Sequence, residues 1–334
     1  MSTFKEIQGQ NIRSLSSDPS PISNGDIWYN STSQTLKGVV AIGAWSSGTN
    51  MPEGNYGAGS CGAQTAFLYF GGSPYPAKTN ATREYDGTNW TTTGNFTSSR
   101  GYLGGCGTQT AALGAGGYAP NTTASAEYDG STWTAGNSMS QQRMNTGSTF
   151  VGIQTAALLT GGDQLPSTPR SISACEEYDG TNYSSGGAYP VAIQNIAQGG
   201  TQTAGWAAGG MSDSNPGTPN AIQSATNEYN GTAWTAGGAL PAATYRAGGA
   251  GTQTAALFFS GLTATSPVAT SFEYDGSSWT ATPSMATARQ SIGAGGVSSS
   301  TSAAIGAGGY VTPGVTNATE EYTVAATTRT FTTS

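Results

Sequence analysis

The sequence predicts an all-β chain: a six-bladed β-propeller of four-stranded antiparallel blades, its ring closed by an N-terminal strand, plus an N-terminal arm. Three observations predict it. A Gln-Thr-Ala phrase runs to a glycine pair over a span of eight residues, from Gln64 to Gly72, Gln109 to Gly117, Gln154 to Gly162, Gln202 to Gly210 and, with Ser260 as the first member of the pair, Gln253 to Gly261, with a degenerate sixth copy from Thr301 to Gly309. A Glu-Tyr-(Asp/Asn)-Gly phrase runs to an aromatic over six residues, from Glu84 to Trp90, Glu127 to Trp133, Glu177 to Tyr183, Glu228 to Trp234 and Glu273 to Trp279. Successive Glu-Tyr pairs, counting the last at Glu321-Tyr322, are 43, 50, 51, 45 and 48 residues apart. Such a period means a solenoid, a propeller or an array. Helical repeats are excluded, because Gly, Ser and Thr fill the units and no apolar period of a helix appears.

Each unit reads as four short strands, and the second copy illustrates them. Arg100 to Cys106 is a small-residue strand, turned by Gly107-Thr108-Gln109. Thr110 to Ala115 is the next and ends at Gly116-Gly117. After a loop, Ser125 to Tyr128 is the third. Asp129-Gly130 signals a two-residue hairpin, since it tolerates the positive φ of the primed turns. Ser131 to Ala135, carrying Trp133, is the fourth. Glycine and alanine crowd the first strands, as in Gly104-Gly105-Cys106-Gly107 and Gly248-Gly249-Ala250-Gly251. Six strands converging on an axis need that, because backbones approach closely only where side chains are small.

A Gly-Gly after the second strand, a Tyr in the third and a Trp in the fourth resemble the kelch-repeat β-propeller pattern over about residues 45–328. One departure is the lack of a consistently placed Arg before the first strand; Arg100, Arg143, Arg246 and Arg289 lie there only loosely. Counting aromatics gives the ring and its closure. Trp45 precedes Trp90 by 45 residues and opens the run Trp45, Trp90, Trp133, Tyr183, Trp234, Trp279. The last Glu-Tyr lacks its aromatic, with Thr327 in that place, and the first aromatic lacks its Glu-Tyr. The strand around Trp45 is therefore expected to complete a sixth blade whose other strands come from residues 290–323, with Trp45 and Tyr322 as the closure pair. No open sheet is then left between first and last blades. The expected organisation is an arm at 1–38, the propeller at 39–328 and a tail at 329–334.

Composition limits the chemistry. Of 334 residues, 9% are charged, against about 25% ordinarily. Seven Trp, sixteen Tyr and nine Phe supply a core that a Gly/Ser/Thr-rich disordered linker would lack. Histidine is absent, which removes imidazole catalysis, His-ligated metals and galactose-oxidase-like copper chemistry. A net charge of -7 gives no basic footprint for nucleic acid. Cys61, Cys106 and Cys175 are odd in number and form no CxxC pair, so neither a disulfide framework nor a metal knuckle is expected. The first twenty residues contain no apolar run, and no stretch approaches a membrane helix. The chain is expected to be made and folded in a cytoplasm, with no membrane insertion, no cofactor and no metal.

The recurring residues read as scaffold: Asp as turn chemistry, Glu as a blade-edge partner for Arg, Trp as inter-blade core. The Gly-Gly phrases open no helix and carry no P-loop Lys. Recognition should fall to the variable loops. Gly-Gly to Glu distances are 12, 10, 15, 18, 12 and 12 residues. Tyr75, Tyr118, Gln164, Asn215 and Tyr310 are the candidate ligand-binding residues there, their hydroxyls and amides suiting a neutral glycan or a protein. The Asp-Gly-(Ser/Thr)-x-Trp hairpin invites comparison with the sialidase Asp box, but its Gly follows the Asp directly. A sialidase would also need three converging Arg, and the sequence offers no singular cluster of ionisable groups near the axis.

Ile12-Arg13-Ser14-Leu15-Ser16-Ser17-Asp18-Pro19 and the Gly25-Asp26-Ile27-Trp28-Tyr29-Asn30 phrase lie outside the ring, the second in a hairpin-like stretch ending at Leu36-Lys37-Gly38. With the blades they resemble virion structural proteins of tailed phages, particularly tail-fibre-like and adhesion proteins of marine cyanobacterial phages. That resemblance implies a non-enzymatic virion protein, assembled in the host cytoplasm. Ile12, Arg13, Trp28, Tyr29 and Asn30 would dock on other virion proteins, and a propeller face would meet a host-surface glycan or protein or decorate the particle. A homo-oligomer stays open. The alternative is a free six-bladed lectin or a sialidase-like glycan-active enzyme.

Overall fold

The structure, a computed structural model, describes residues 12–74, 76–118, 122–165, 170–212, 221–296 and 302–331. Two compact units divide the chain: Trp45–Thr323, and Met1–Ala44 with Val324–Ser334. The described residues of both are strands and loops, without a helix.

Within Trp45–Thr323, five antiparallel sheets each hold four strands in sequence order. In the second repeat these are Gly104–Thr108, Ala111–Ala115, Ser125–Tyr128 and Trp133–Ala135. The first turn falls one residue later than expected, on Gln109-Thr110, because Thr108 still pairs with Ala111. The second strand is buried on both faces, as its unbroken apolar run requires. The last repeat pairs Gly293–Gly296 with Ala303–Ala307, and the latter with residues 319–323 of the strand Thr319–Phe331. Gly48 N–H then donates to the Thr319 carbonyl at 2.9 Å.

The Asp-Gly tips differ from the two-residue hairpin that the sequence suggests. Tyr128 pairs with Trp133, so four residues lie between. Only Gly130 has a left-handed φ, at 94°. Asp129 Oδ1 instead accepts the Ser131 and Thr132 N–H groups at 2.8 Å each. The Asp is a local cap for the loop. Asp86, Asp179 and Asp275 do the same, and Asn230 substitutes its amide oxygen. These bonds hold the Asp86, Asp129 and Asp179 carboxyls below their ordinary range. In Asp275 the Ser277 hydroxyl leads the same effect and brings the pKa to about 2.

The Glu of each Glu-Tyr pair takes Tyr, not Arg, as its partner. Tyr128 donates to Glu84 (2.8 Å), Tyr178 to Glu127 (2.5 Å), Tyr229 to Glu177 (2.7 Å), Tyr274 to Glu228 (2.8 Å) and Tyr322 to Glu273 (2.6 Å). Tyr85 of the first repeat donates to Glu321 of the last, at 2.6 Å. Each phenol thus reaches the repeat before it, and the pattern returns to its start. Burial first and the carboxylate second push the phenols up, to about 12 for Tyr85, Tyr128, Tyr229 and Tyr274.

Other repeated residues bond in the same sense. The Gln109, Gln154, Gln202 and Gln253 amides donate to the Tyr85, Tyr128, Tyr178 and Tyr229 carbonyls, and Gln64 donates to that of Tyr322. The indoles of Trp133, Trp279, Trp90 and Trp45 donate to the hydroxyls of Thr82, Thr226, Thr319 and Ser271. Each acceptor stands two residues before a Glu. Trp45 also packs on Phe259 (4.9 Å between centroids) and Tyr322 (5.3 Å), though it is only half-buried. The core lies between neighbouring repeats. Phe70 and Phe96 pack with Tyr128 between the first and second, and Phe67, Tyr69 and Tyr85 pack with Ile305 between the first and last.

The arginines separate into two kinds. Arg100, Arg143 and Arg289 occupy one equivalent position, where Nη1 bridges the first Gly carbonyl of a Gly-Gly pair (Gly116, Gly161, Gly308) and a second carbonyl (Ala124, Ala174, Ala318). Arg143 and Arg289 are buried and also pair with Glu176 (2.5 Å) and Glu320 (2.8 Å). Asn55, Ile193 and Thr244 fill the other three places: their carbonyls, like those of Arg100 and Arg143, accept from the second Gly of a pair, and that of Arg289 accepts from Gly261, which follows Ser260. Arg246 lies elsewhere.

In Met1–Ala44 with Val324–Ser334, Arg13–Leu15 pairs in parallel with Ile27–Asn30, which pairs antiparallel with residues 35–38. Asp18 organises this unit. It accepts from Trp28 Nε1 (3.1 Å), Asn30 Nδ2 (2.8 Å) and Lys37 Nζ (2.8 Å). Those partners, Lys37 first, hold its carboxyl below the ordinary range.

Candidate functional site

Before each repeat's first strand stands one residue with left-handed φ: Gly57 (61°), Tyr102 (59°), Asn145 (55°), Asn195 (55°), Arg246 (57°) and Ser291 (53°). The conformation aims its amide and carbonyl at its equivalents. Tyr102 N–H donates to the Gly57 carbonyl (2.5 Å), Asn145 to Tyr102 (2.9 Å), Asn195 to Asn145 (2.5 Å), Arg246 to Asn195 (2.9 Å), Ser291 to Arg246 (2.9 Å) and Gly57 to Ser291 (3.1 Å). Six peptides form a closed cycle of hydrogen bonds. Each non-Gly member carries a left-handed strain of about 1–2 kcal/mol. The cycle uses main-chain groups alone, so its side chains are free to differ.

Those six residues line a recess of about 30 Å³, together with Ala58, Leu103, Gly147, Ser148, Ala247 and Ile292. The Tyr102 hydroxyl donates to that of Tyr56 at 3.1 Å. Arg246 Nη1 donates to Gln290 Oε1 (3.1 Å), and its guanidinium stacks 5.3 Å from the Tyr245 ring. Asn195 Nδ2 donates to Gln194 Oε1 at 3.1 Å. Arg246 Nε, Asn145 Oδ1 and Ser148 Oγ are buried without a partner. Burial chiefly, and then the bond to Tyr56, push the Tyr102 phenol up, while the charge of Arg246 opposes the shift. Among the described residues Arg246 makes no ion pair. The recess therefore presents one guanidinium, two carboxamides and a neutral phenol, a singular group that the sequence did not disclose.

The residue before each member of the cycle pairs with the start of a variable loop: Tyr56 with Ser73, Gly101 with Tyr118, Met144 with Asp163, Gln194 with Met211, Tyr245 with Leu262 and Gln290 with Tyr310. This pairing brings the variable loops to the recess. Tyr310 packs 5.7 Å from Tyr56, whose ring also meets Tyr102 at 5.8 Å. Tyr118 is exposed under the Lys78 ammonium. Gln164 donates to Gln141. Beside it, buried Asp163 is paired with Arg170 at 2.5 Å. Tyr75 and Asn215 lie outside the described residues.

No protein-family model and no curated protein matches the chain.

Along the first strands of the repeats lies a larger space of about 260 Å³, lined mainly by glycine backbone with Cys61, Cys106, Thr108, Thr149, Phe150 and Gln198, and without a charged side chain among the described residues. It offers little chemistry. Both thiols are buried, and burial pushes both well up from the ordinary thiol range. They are packing groups of the inter-repeat cores and poor nucleophiles.

Of the docking residues named from sequence, Trp28 and Asn30 are buried on Asp18, at 1% and 6% exposure. Ile12, Arg13 and Tyr29 are exposed. Trp45 and Tyr322 stand side by side, with 5.3 Å between ring centroids. The residues missed were Tyr102, Asn145, Asn195 and Arg246. A signal for them existed: Gly57, Tyr102, Asn195 and Arg246 all stand seven residues before the Gln of their repeat. Arg100 stands nine before, which separates it from Arg246.

Proposed function

We propose that the six repeats close as a six-bladed β-propeller, its last blade taking a strand from the residues around Trp45. We read this propeller as a non-enzymatic binding module. It is a virion structural protein of a tailed phage, docked by its N-terminal arm and presenting the recess face to a host-surface glycan or protein. The bonds running from Tyr85 to Glu321 and from Gly57 to Ser291 support the closure.

One observation carries the binding reading. Where Glu, Tyr and Gln recur around the repeats, the six positions of the peptide cycle carry Gly, Tyr, Asn, Asn, Arg and Ser. Scaffold positions repeat, and a recognition site is singular. The virion role rests on the arm's sequence resemblance, with Ile12, Arg13 and Tyr29 as the side chains free to dock. Sialidase-like chemistry is disfavoured, since Arg246 is the recess's one arginine among the described residues.

Two experiments test the reading. Full-length protein is screened for binding to host-envelope fractions, beside a Tyr56→Ala/Tyr310→Ala variant. Saturable binding weakened in the variant supports the face; binding of equal strength moves it elsewhere. Deleting residues 1–38 should abolish incorporation into particles and leave a folded remainder, and normal incorporation would rule out docking by the arm.

A further inference from the structure

We propose that the recess enclosed by the peptide cycle is a carboxylate subsite, built to take the acidic terminus of a glycan with Arg246 as its cation. The inference rests on the binding reading above and names its ligand class.

Four observations lead to it. First, Arg246 is a half-buried guanidinium whose charge meets no carboxylate among the described residues. Gln290 takes one of its donors; its Nε is buried without an acceptor, as are those of Arg143 and Arg289. An unmet donor on a charged group is costly, and a carboxylate is the acceptor that a guanidinium fork fits best. Arg143 and Arg289 each have that partner in Glu176 and Glu320. Arg100 also lacks a carboxylate, but its donors are spent on the Gly116 and Ala124 carbonyls and the Thr97 and Ser98 hydroxyls, whereas Arg246 has the Gln290 amide oxygen.

Second, the space is about 30 Å³, about one water's share of the liquid. It admits one small polar group and leaves the rest of any ligand outside. Third, the surroundings suit a sugar. Tyr56 and Tyr310 place amphipathic rings beside the recess, and Asn145, whose Nδ2 donates to Asp163 Oδ2 at 3.4 Å, keeps its amide oxygen without a partner, an acceptor for a hydroxyl. Fourth, the main chain is spent. The amides and carbonyls of the cycle bond to one another, so a peptide finds no backbone there to pair with in the manner of an added strand. That favours a glycan over an acidic peptide.

The test measures binding of full-length protein to an oligosaccharide ending in glucuronic acid, to the same oligosaccharide ending in glucose, and to a glutamate-containing peptide. Arg246→Gln removes the charge, and Asn145→Asp adds an opposing one. The melting temperature of each variant establishes that it is folded. The acidic sugar should bind at least tenfold more tightly than the neutral one, and either variant should erase that difference. Equal binding of the two sugars, unaffected by Arg246→Gln, overturns the subsite and leaves the binding face intact. Arg246-dependent binding of the peptide alone overturns the glycan assignment. Absence of binding to both sugars and to envelope fractions removes the binding reading itself.

Discussion

The Tyr85 phenol donates to the Glu321 carboxylate across 2.6 Å, joining residues 236 positions apart in the sequence. Its geometry matches the five bonds between successive repeats. A hydrogen bond to a charged group contributes about 1.5–3 kcal/mol. Tyr85→Phe is therefore expected to destabilise by that much, and by the same amount as Tyr128→Phe, measured from urea midpoints. A loss for Tyr128→Phe with none for Tyr85→Phe would mean that the first and last repeats are not joined as the others are.

Trp45 gives an independent check on the same junction. Its indole bonds to Ser271, and its ring packs on Phe259 and Tyr322. It is only half-buried, so Trp45→Ala should fall at the low end of the range for a large aromatic, about 3 kcal/mol. Trp279→Ala should cost more, because Trp279 is 8% exposed and packs on Trp206 and Phe258. The comparison is made by chemical denaturation. An unchanged Trp45→Ala would separate this segment from the fold.

The Glu-Tyr cycle predicts how the protein meets alkali. Tyr85, Tyr128, Tyr229 and Tyr274 have pKa values raised from 10.0 to about 12. A phenol raised in the fold contributes stability that is complete below its unfolded value and lost as pH climbs through the folded one. Stability should hold to about pH 10 and fall between there and about pH 12. Phenolate absorbance followed with circular dichroism tests this. Ionisation of the whole tyrosine set near pH 10, with structure retained, would contradict it.

At the acid end the loop caps set the sign. The Asp275 pKa is lowered from 3.8 to about 2. That contribution is present above pH 3.8 and fades as pH falls toward 2. Asn230 already fills the equivalent place in its own loop with an amide oxygen. Asp275→Asn should leave the melting temperature at pH 7 nearly unchanged and make its decline below pH 4 shallower. A large loss at neutral pH would mean that the charge itself is required.

The repeats made much of this legible. Spacing alone located the third and fourth strands, the inter-repeat aromatics and Trp45. Partner identity was hidden for a physical reason. Glu84 and Tyr128 are 44 residues apart and meet only when two repeats pack, whereas spacing within a repeat reports what is near in one sheet. The Asp129 tip was misread because Asp-Gly serves both primed turns and side-chain caps, and only φ separates them. Arg246 was grouped with Arg100, Arg143 and Arg289 on residue type, although it stands seven residues before its Gln and Arg100 nine. Tyr310 and Tyr118 were named because they open variable loops, while the recess residues differ in type from repeat to repeat and so escape a search for recurring phrases.

The cycle through Gly57, Tyr102, Asn145, Asn195, Arg246 and Ser291 has a consequence for how such a chain can change over generations. Its hydrogen bonds belong to every amino acid except proline, which lacks the donor. A mutation at one of the five side-chain-bearing positions alters what the surface displays without touching these main-chain bonds, whereas a Cβ at Gly57 would meet the Tyr102 ring at 2.9 Å. The cost at the five is backbone strain, which asparagine bears lightly. Ligand preference can therefore drift or be selected at those positions, and heritable variation there is decoupled from the bonds that join the repeats.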